Sequence, residues 1–422
     1  MNDKKSPRVE VIPQKPRISA GKAQTTDILV RITPPEVDQI TNRPHLNLAL
    51  VLDRSGSMEG DKMIRAREAA SFCIDQLLFT DRVSLVVFDD VVEVLVEGQT
   101  VENREAIKER ISRIHARNST ALHQAWVKGG IEVSKNLADG INRVLLITDG
   151  LANVGVTNVD TIVSQAGELA SRGVSTSTIG IGSDFNEDLL IPMAEAAQGN
   201  AWHVEKPSDM ERIFGIELEC LIAQFAHTVS LGITPSDGAK VQDLLNDFEV
   251  THTGRYKLPN LRAGSPLDIV MRLKVPAGSI GQRLKVLDLR LAWNPQSSPS
   301  SDREILNQAV TVEYAAADEV DRLAEDERVT KAVHFLMAAR ARREAIEHLD
   351  RGDVASARAV VGESARLFAE ACAAYVQDDR VSSELQMLTE LDQDLAGGED
   401  LKMSRKKMGY QSYQARSSKP LK

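Results

Sequence analysis

The chain has 422 residues and a formal net charge of -10, with 51 Lys and Arg against 61 Asp and Glu, a balance that opposes sequence-independent attraction to nucleic acid or anionic lipid. Hydrophobic residues make up 42%, charged residues 27% and aromatics 4%, which excludes a disordered or fibrous chain; the length suits about two to four domains. Cys73, Cys220 and Cys372 are too widely spaced for a zinc site or a disulfide scaffold, and predict buried thiols in a reducing compartment.

The first 44 residues form a tail and β segment. They open polar and proline-punctuated, without the apolar core of a secretory signal, and no later stretch reaches the roughly 18 apolar residues of a membrane span, so a cytoplasmic location is expected. Residues 27–33 (DILVRIT) alternate as a half-buried strand, and 34–45 connect onward. Over 45–206, short apolar runs separate longer helical patterns: LNLALVLD, RVSLVVFD, VEVLVEG, RVLLITDG, VSTSTIGIG and a weaker AWHVE. This is the signature of an α/β domain with a doubly wound, mostly parallel, Rossmann-like sheet, with an antiparallel hairpin over 82–98. Residues 207–317 predict a linking helix and then an antiparallel β domain, with strands in HTVSLGIT, GRYKLPN, SPLDIVMRLKVP, QRLKVLDLRLAWN and NQAVTVEYA. The strand at 27–33 needs a sheet, and joining this one makes the α/β domain an insertion. Residues 318–398 read as helical, with Gly352 and Asp353 placed to close one helix and cap the next in a helical hairpin. Arg351-Gly352-Asp353 spells an adhesion tripeptide, but turn and cap account for it. Residues 399–422 are basic and polar and are expected to be a flexible tail, with a docking arm as the alternative.

The chemistry concentrates after the first α/β strand, where Asp53-Arg54-Ser55-Gly56-Ser57-Met58 puts an aspartate and two hydroxyls at the carboxyl edge of the sheet, the edge where such sheets bind ligands. Hard oxygens so arranged suit Mg²⁺, with Ca²⁺ or Mn²⁺ as alternatives. DRSGSM after a buried strand resembles the metal-ion-dependent adhesion site (MIDAS) of the von Willebrand factor A family. Asn118-Ser119-Thr120-Ala121 matches that family's threonine loop and Thr148-Asp149-Gly150 its aspartate loop. The resemblance covers about residues 45–206; Arg117-Asn118-Ser119 departs from it where the family often has glycines. It implies that Ser55, Ser57 and Thr120 contact a divalent ion, that Asp53 and Asp149 act directly or through water, and that one coordination position stays open for the acidic side chain of a partner.

Enzymatic readings are disfavoured. A phosphohydrolase of the haloacid dehalogenase type uses an acid two residues after its nucleophilic aspartate, where this chain has Ser55. No P-loop, HExxH or G-x-S-x-G occurs. The expected function is a non-catalytic, metal-dependent adaptor; the alternative is an assembly scaffold that uses its helical region and basic tail and keeps a purely structural ion. The layout also resembles bacterial cytoplasmic proteins with this domain, some carrying a calcium-activated chloride channel label by homology, and suggests a partner such as an AAA+ ATPase of the MoxR class.

Overall fold

The computed structural model describes residues 6–36, 43–117, 120–137, 139–151, 154–296, 303–398 and 400–418. Two compact units emerge, one gathering 1–36, 226–294 and 302–422, the other comprising 37–225 and 295–301. The chain enters the first unit through β1 (Arg8–Pro13), β2 (Ile18–Ser19) and β3 (Gln24–Thr33).

The second unit is the α/β body. It runs β4 (His45–Asp53), α1 (Asp61–Gln76), β5 (Arg82–Phe88), β6 (Val92–Thr100), α2 (Arg104–Ser112), α3 (Leu122–Ser134), β7 (Gly140–Thr148), α4 (Val159–Ser171), β8 (Ser175–Ile181), α5 (Glu187–Ala196), β9 (Ala201–Val204) and α6 (Met210–Ile222). The sheet order is β6-β5-β4-β7-β8-β9, parallel except for β6, which closes the expected hairpin against β5. β4 is nearly uninterrupted in apolar residues because both of its faces are covered. Ala49 and Val51 pack with Leu122, Trp126 and Ile162 of α3 and α4, while Leu48, Leu50 and Leu52, on the other side of the pleat, are equally buried. The three cysteines are buried.

The chain returns to the first unit through β10 (Gln224–Pro235), β11 (Lys240–Leu244), β12 (Tyr256–Lys257), β13 (Leu261–Arg262), β14 (Leu267–Val275), β15 (Arg283–Pro295) and β16 (Glu304–Ala315). One sheet has the order β1-β3-β14-β11; β3 is paired antiparallel to β14 from Leu267↔Ile32 to Val275↔Gln24. The other has the order β12-β10-β15-β16-β2, with β13 beside β10. The strand expected over 254–260 contracts to Tyr256–Lys257, since Gly254 takes a left-handed conformation (φ +73°) on one side and Pro259 lacks an amide donor on the other. Ile12, Leu29, Leu245 and Val270 bury the β1-β3-β14-β11 sheet under Val329, Ala332 and Leu336 of α8 (Glu327–Asp350), which follows α7 (Ala317–Arg322). The helical hairpin forms as expected: Gly352 has φ +77°, and Asp353 accepts the Ser356 amide at 3.0 Å to start α9 (Val354–Ala371).

The basic tail is a correction. After α10 (Asp379–Gly397), residues Leu401–Ser417 form a helix, α11, rather than a flexible arm. Met408 and Tyr413 are wholly buried or nearly so, and Met408 packs with Leu391, Leu395 and Val361. Arg405 is paired with Asp350 at 2.7 Å and Lys407 with Asp394 at 3.7 Å. Charges that look solvated in one dimension thus meet carboxylates of α8 and α10, and the docking-arm reading loses its support.

Candidate metal centre

β4 and β7 are neighbouring parallel strands with Leu52 opposite Ile147, so Asp53 and the Thr148-Asp149 pair leave the sheet at one edge. On the other flank Asp53 stands opposite Phe88, and Asp89 follows. Chain connections run in opposite directions from β4, which makes this the switch point where ligands of such sheets sit. Past Asp53 the backbone makes a short 3-10 turn, Gly56–Met58, anchored by fully buried Met58; Gly60, at φ +83°, then turns it into α1.

The five predicted residues lie on these loops. The Ser55 amide donates to Asp53 Oδ1 at 2.7 Å, and the Thr148 hydroxyl to Asp53 Oδ2 at 2.5 Å. Ser55 and Ser57 Oγ atoms are 3.1 Å apart, and Ser57 Oγ donates to Asp149 Oδ1 at 2.7 Å. Thr120 reaches the same place: a Cβ built on Gly150 would lie 3.4 Å from Thr120 Oγ1 and 3.7 Å from Asp53 Oδ2. Asp53, Ser55, Thr120 and Asp149 are buried whereas Ser57 is exposed, so the cluster opens to solvent past Ser57. Asn118 and Ser119, the start of the predicted threonine loop, lie outside the described residues.

A brace centred on Asp89, outside the motif, holds the loops together. The Asp89 carboxylate accepts Arg54 Nε at 3.0 Å, Arg117 Nε at 2.9 Å and the Val91 amide at 2.8 Å. Main-chain bonds run alongside, from the Ala121 amide to Asp89 O at 2.7 Å and from the Arg117 amide to Arg54 O at 2.6 Å. The loop after β5 therefore ties the loop bearing Ser55 to the one bearing Thr120. The available signal was an acid directly after an apolar strand, the pattern shared by Asp53 and Asp149.

Electrostatically the cluster is short of positive charge. Burial pushes the Asp53 carboxyl up to about 6; the Thr148 hydroxyl and the Ser55 amide oppose that rise, and the Asp149 charge adds to it. Burial also acts to raise Asp89, but the Val91 amide and the Arg54 and Arg117 guanidiniums outweigh it and hold that carboxyl below its ordinary value. Lys62 Nζ, from the first turn of α1, donates to Asp149 Oδ2 at 2.5 Å. Two buried carboxylates thus face one ammonium. That leftover negative charge, the hard hydroxyl oxygens and the open space above Gly150 fit a divalent ion such as Mg²⁺. Among the described residues no three His, Cys, Asp or Glu side chains gather around one point, so an ion here would be held by hydroxyl oxygens and two carboxylates.

Other polar and aromatic side chains of the α/β unit serve its packing. His123 is 2.7 Å from Gln165 across α3 and α4, and Trp126 and Trp202 are core rings whose indole N–H groups donate to Thr176 and Glu217. Gly180 has no room for a side chain, since a Cβ would lie 2.5 Å from the Phe185 ring.

Residues 47–215 match the model of the von Willebrand factor type A domain, in keeping with the fold described above. An uncharacterised protein of Synechocystis is 33% identical over 198 residues, 47% of this chain and 46% of that protein. The uncharacterised YfbK of Escherichia coli is 26% identical over 199 residues, 45% of this chain and 34% of its own length, so the chain spans less than half of either relative. The solved von Willebrand factor type A protein from Catenulispora acidiphila shares the fold, with a TM-score of 0.68 over 93% of this chain and 91% of that one at 18% identity. Domains of this family mediate protein–protein interactions, mostly without catalysis, and commonly bind a divalent ion. Among the described residues no helix is long and apolar enough to cross a membrane.

Proposed function

We propose that the α/β unit is a non-catalytic, divalent-metal-dependent recognition module that captures an acidic side chain of a partner protein. Ser55, Ser57 and Thr120 would hold the ion, Mg²⁺ in our reading, with Asp53 and Asp149 acting directly or through water. The observation that carries the reading is the convergence of hydroxyls from two loops around two buried carboxylates, in a cluster that opens to solvent past Ser57. Both Asp53 oxygens already accept hydrogen bonds from Thr148 and Ser55, an arrangement suited to contact through water. When bound, the ion supplies a Lewis-acidic position that an incoming carboxylate completes. A MoxR-class AAA+ ATPase in the cytoplasm is the partner class that the domain layout suggests.

The experiment is selection from a displayed peptide library at millimolar Mg²⁺. Enrichment of Asp- or Glu-bearing peptides, released by EDTA and lost in Ser55→Ala and Asp149→Ala, is the expected result. Gly150→Ala should keep the fold, because its methyl meets only ordinary contacts, yet lower ion affinity by occupying the cradle. Binding indifferent to EDTA would favour the scaffold reading with a structural ion.

A further inference from the structure

Lys62 stands on the oxygen of Asp149 that the serines leave vacant. Ser57 takes Oδ1 and Lys62 takes Oδ2, so a carboxylate with no exposed surface has hydrogen bonds on both oxygens. Two glycines flank this lysine. Gly60, at φ +83°, admits the turn that starts α1 two residues before Lys62. Gly182, at φ +73° after β8, lies beside the end of the lysine, where a Cβ would be 3.7 Å from Lys62 Cε and 3.8 Å from Nζ, at ordinary contact distance. The lysine side chain keeps 26% of its surface in solvent, so its flexible stem has a way out.

We propose that Lys62 is the tethered counter-cation of this cradle: it neutralises Asp149 in the ion-free protein and competes with the divalent ion for that carboxylate, setting the ion concentration at which the site loads. This rests on the metal-binding reading above and concerns its regulation. The physical reason is like-charge repulsion. An ammonium and a divalent ion on one buried carboxylate repel strongly where little water screens them, so loading requires Lys62 to swing toward solvent. Asp149 consequently remains compensated in both states, which a buried carboxylate needs.

The test is Mn²⁺ binding to the full chain, read as loss of the free-ion electron paramagnetic resonance signal, with Mg²⁺ calorimetry alongside. Lys62→Met is expected to tighten ion binding about tenfold or more, and to lower the ion-free melting temperature, which saturating ion then restores. Lys62→Arg keeps the charge and should bind within about threefold of the parent. Arg65→Gln, which removes a cation from the exposed side of the same helix, should change binding by less than about twofold. Should Lys62→Met fold only with ion present, rescue at lower ion concentration than the parent needs for saturation supports the proposal. Equal or weaker binding in a folded Lys62→Met, or equal tightening in Lys62→Arg, overturns the proposal alone. Ion binding by neither parent nor variant overturns it together with the metal-binding reading.

Discussion

Asp53 couples the site to pH. Its carboxyl, raised by burial to about 6, keeps a proton in the folded chain that the unfolded chain has already lost. The sign follows: in the ion-free protein this group's contribution is most favourable near or below its ordinary value of 3.8 and is lost as pH rises through 6, a difference of about 3 kcal/mol. A divalent ion needs the ionised form, so it must displace that proton at low pH and meets no such competition above 6. The rise in melting temperature produced by Mg²⁺ should therefore be small at about pH 5 and complete by about pH 7.5. Asp53→Asn should flatten the pH dependence of ion-free stability and abolish the response to Mg²⁺. An equal Mg²⁺ shift at both pH values would contradict the coupling. Asp53, Ser55 and Ser57 stand out in the sequence because they end or follow an apolar run, whereas Thr120 and Asp149 are pointed to by the resemblance of their loops to the family's; Lys62 is marked by neither, since its partner lies 87 residues away and nothing local distinguishes it from any first-turn lysine.

Among elements, the loop following β5 is the one whose role the motif hides. Arg54 and Asp89 form a nearly dry ion pair, with 7% and 2% of their side-chain surfaces exposed, whereas Arg117 is half exposed and contributes less. Asp89→Ala would leave the Arg54 charge buried without its main partner, and should destabilise the domain by about 3 kcal/mol in urea unfolding. It should also weaken ion binding although Asp89 is no proposed ligand, because the Ser55 and Thr120 loops lose their common anchor; unchanged ion affinity in a folded Asp89→Ala would show that the loops hold position unaided. Elements were legible in proportion to their length and period. The buried strands of the α/β sheet stand out as apolar runs, and β14–β16 as alternations. β2, β12 and β13 span two residues each and carry no period, while β1 sits in a proline-rich, charged stretch that reads as a tail. α11 was hidden by its charge: its burial depends on acids of α8 and α10 that a one-dimensional count cannot pair.

At the scale of the molecule, the two units place different demands on the chain. The α/β unit draws its sheet and helices from one uninterrupted segment, with its own core from Ala49 and Val51 through Trp126 to Met193. The other unit cannot be built from one segment. β3 lies between β1 and β14, with Ile28, Leu29, Val30 and Ile32 entirely buried, and its partner strand begins only at Leu267. Each such side chain contributes about 1.5–3 kcal/mol on burial, so the four together match the whole net stability of an ordinary domain, about 5–15 kcal/mol. Residues 226–422 expressed without 1–36 should therefore fail to fold: β14 would present an unpaired edge beside an uncovered apolar face, and the product should aggregate. Residues 43–225 alone should give a cooperative thermal transition that Mg²⁺ raises as it does in the full chain. Pairing Ile32 with Leu267 brings together residues separated by the entire α/β unit, a closure that is slow while the intervening chain is unfolded. The α/β unit should accordingly gain amide-exchange protection before β3 and β14 in a refolding pulse experiment, and protection of the β3–β14 ladder first would reverse that order.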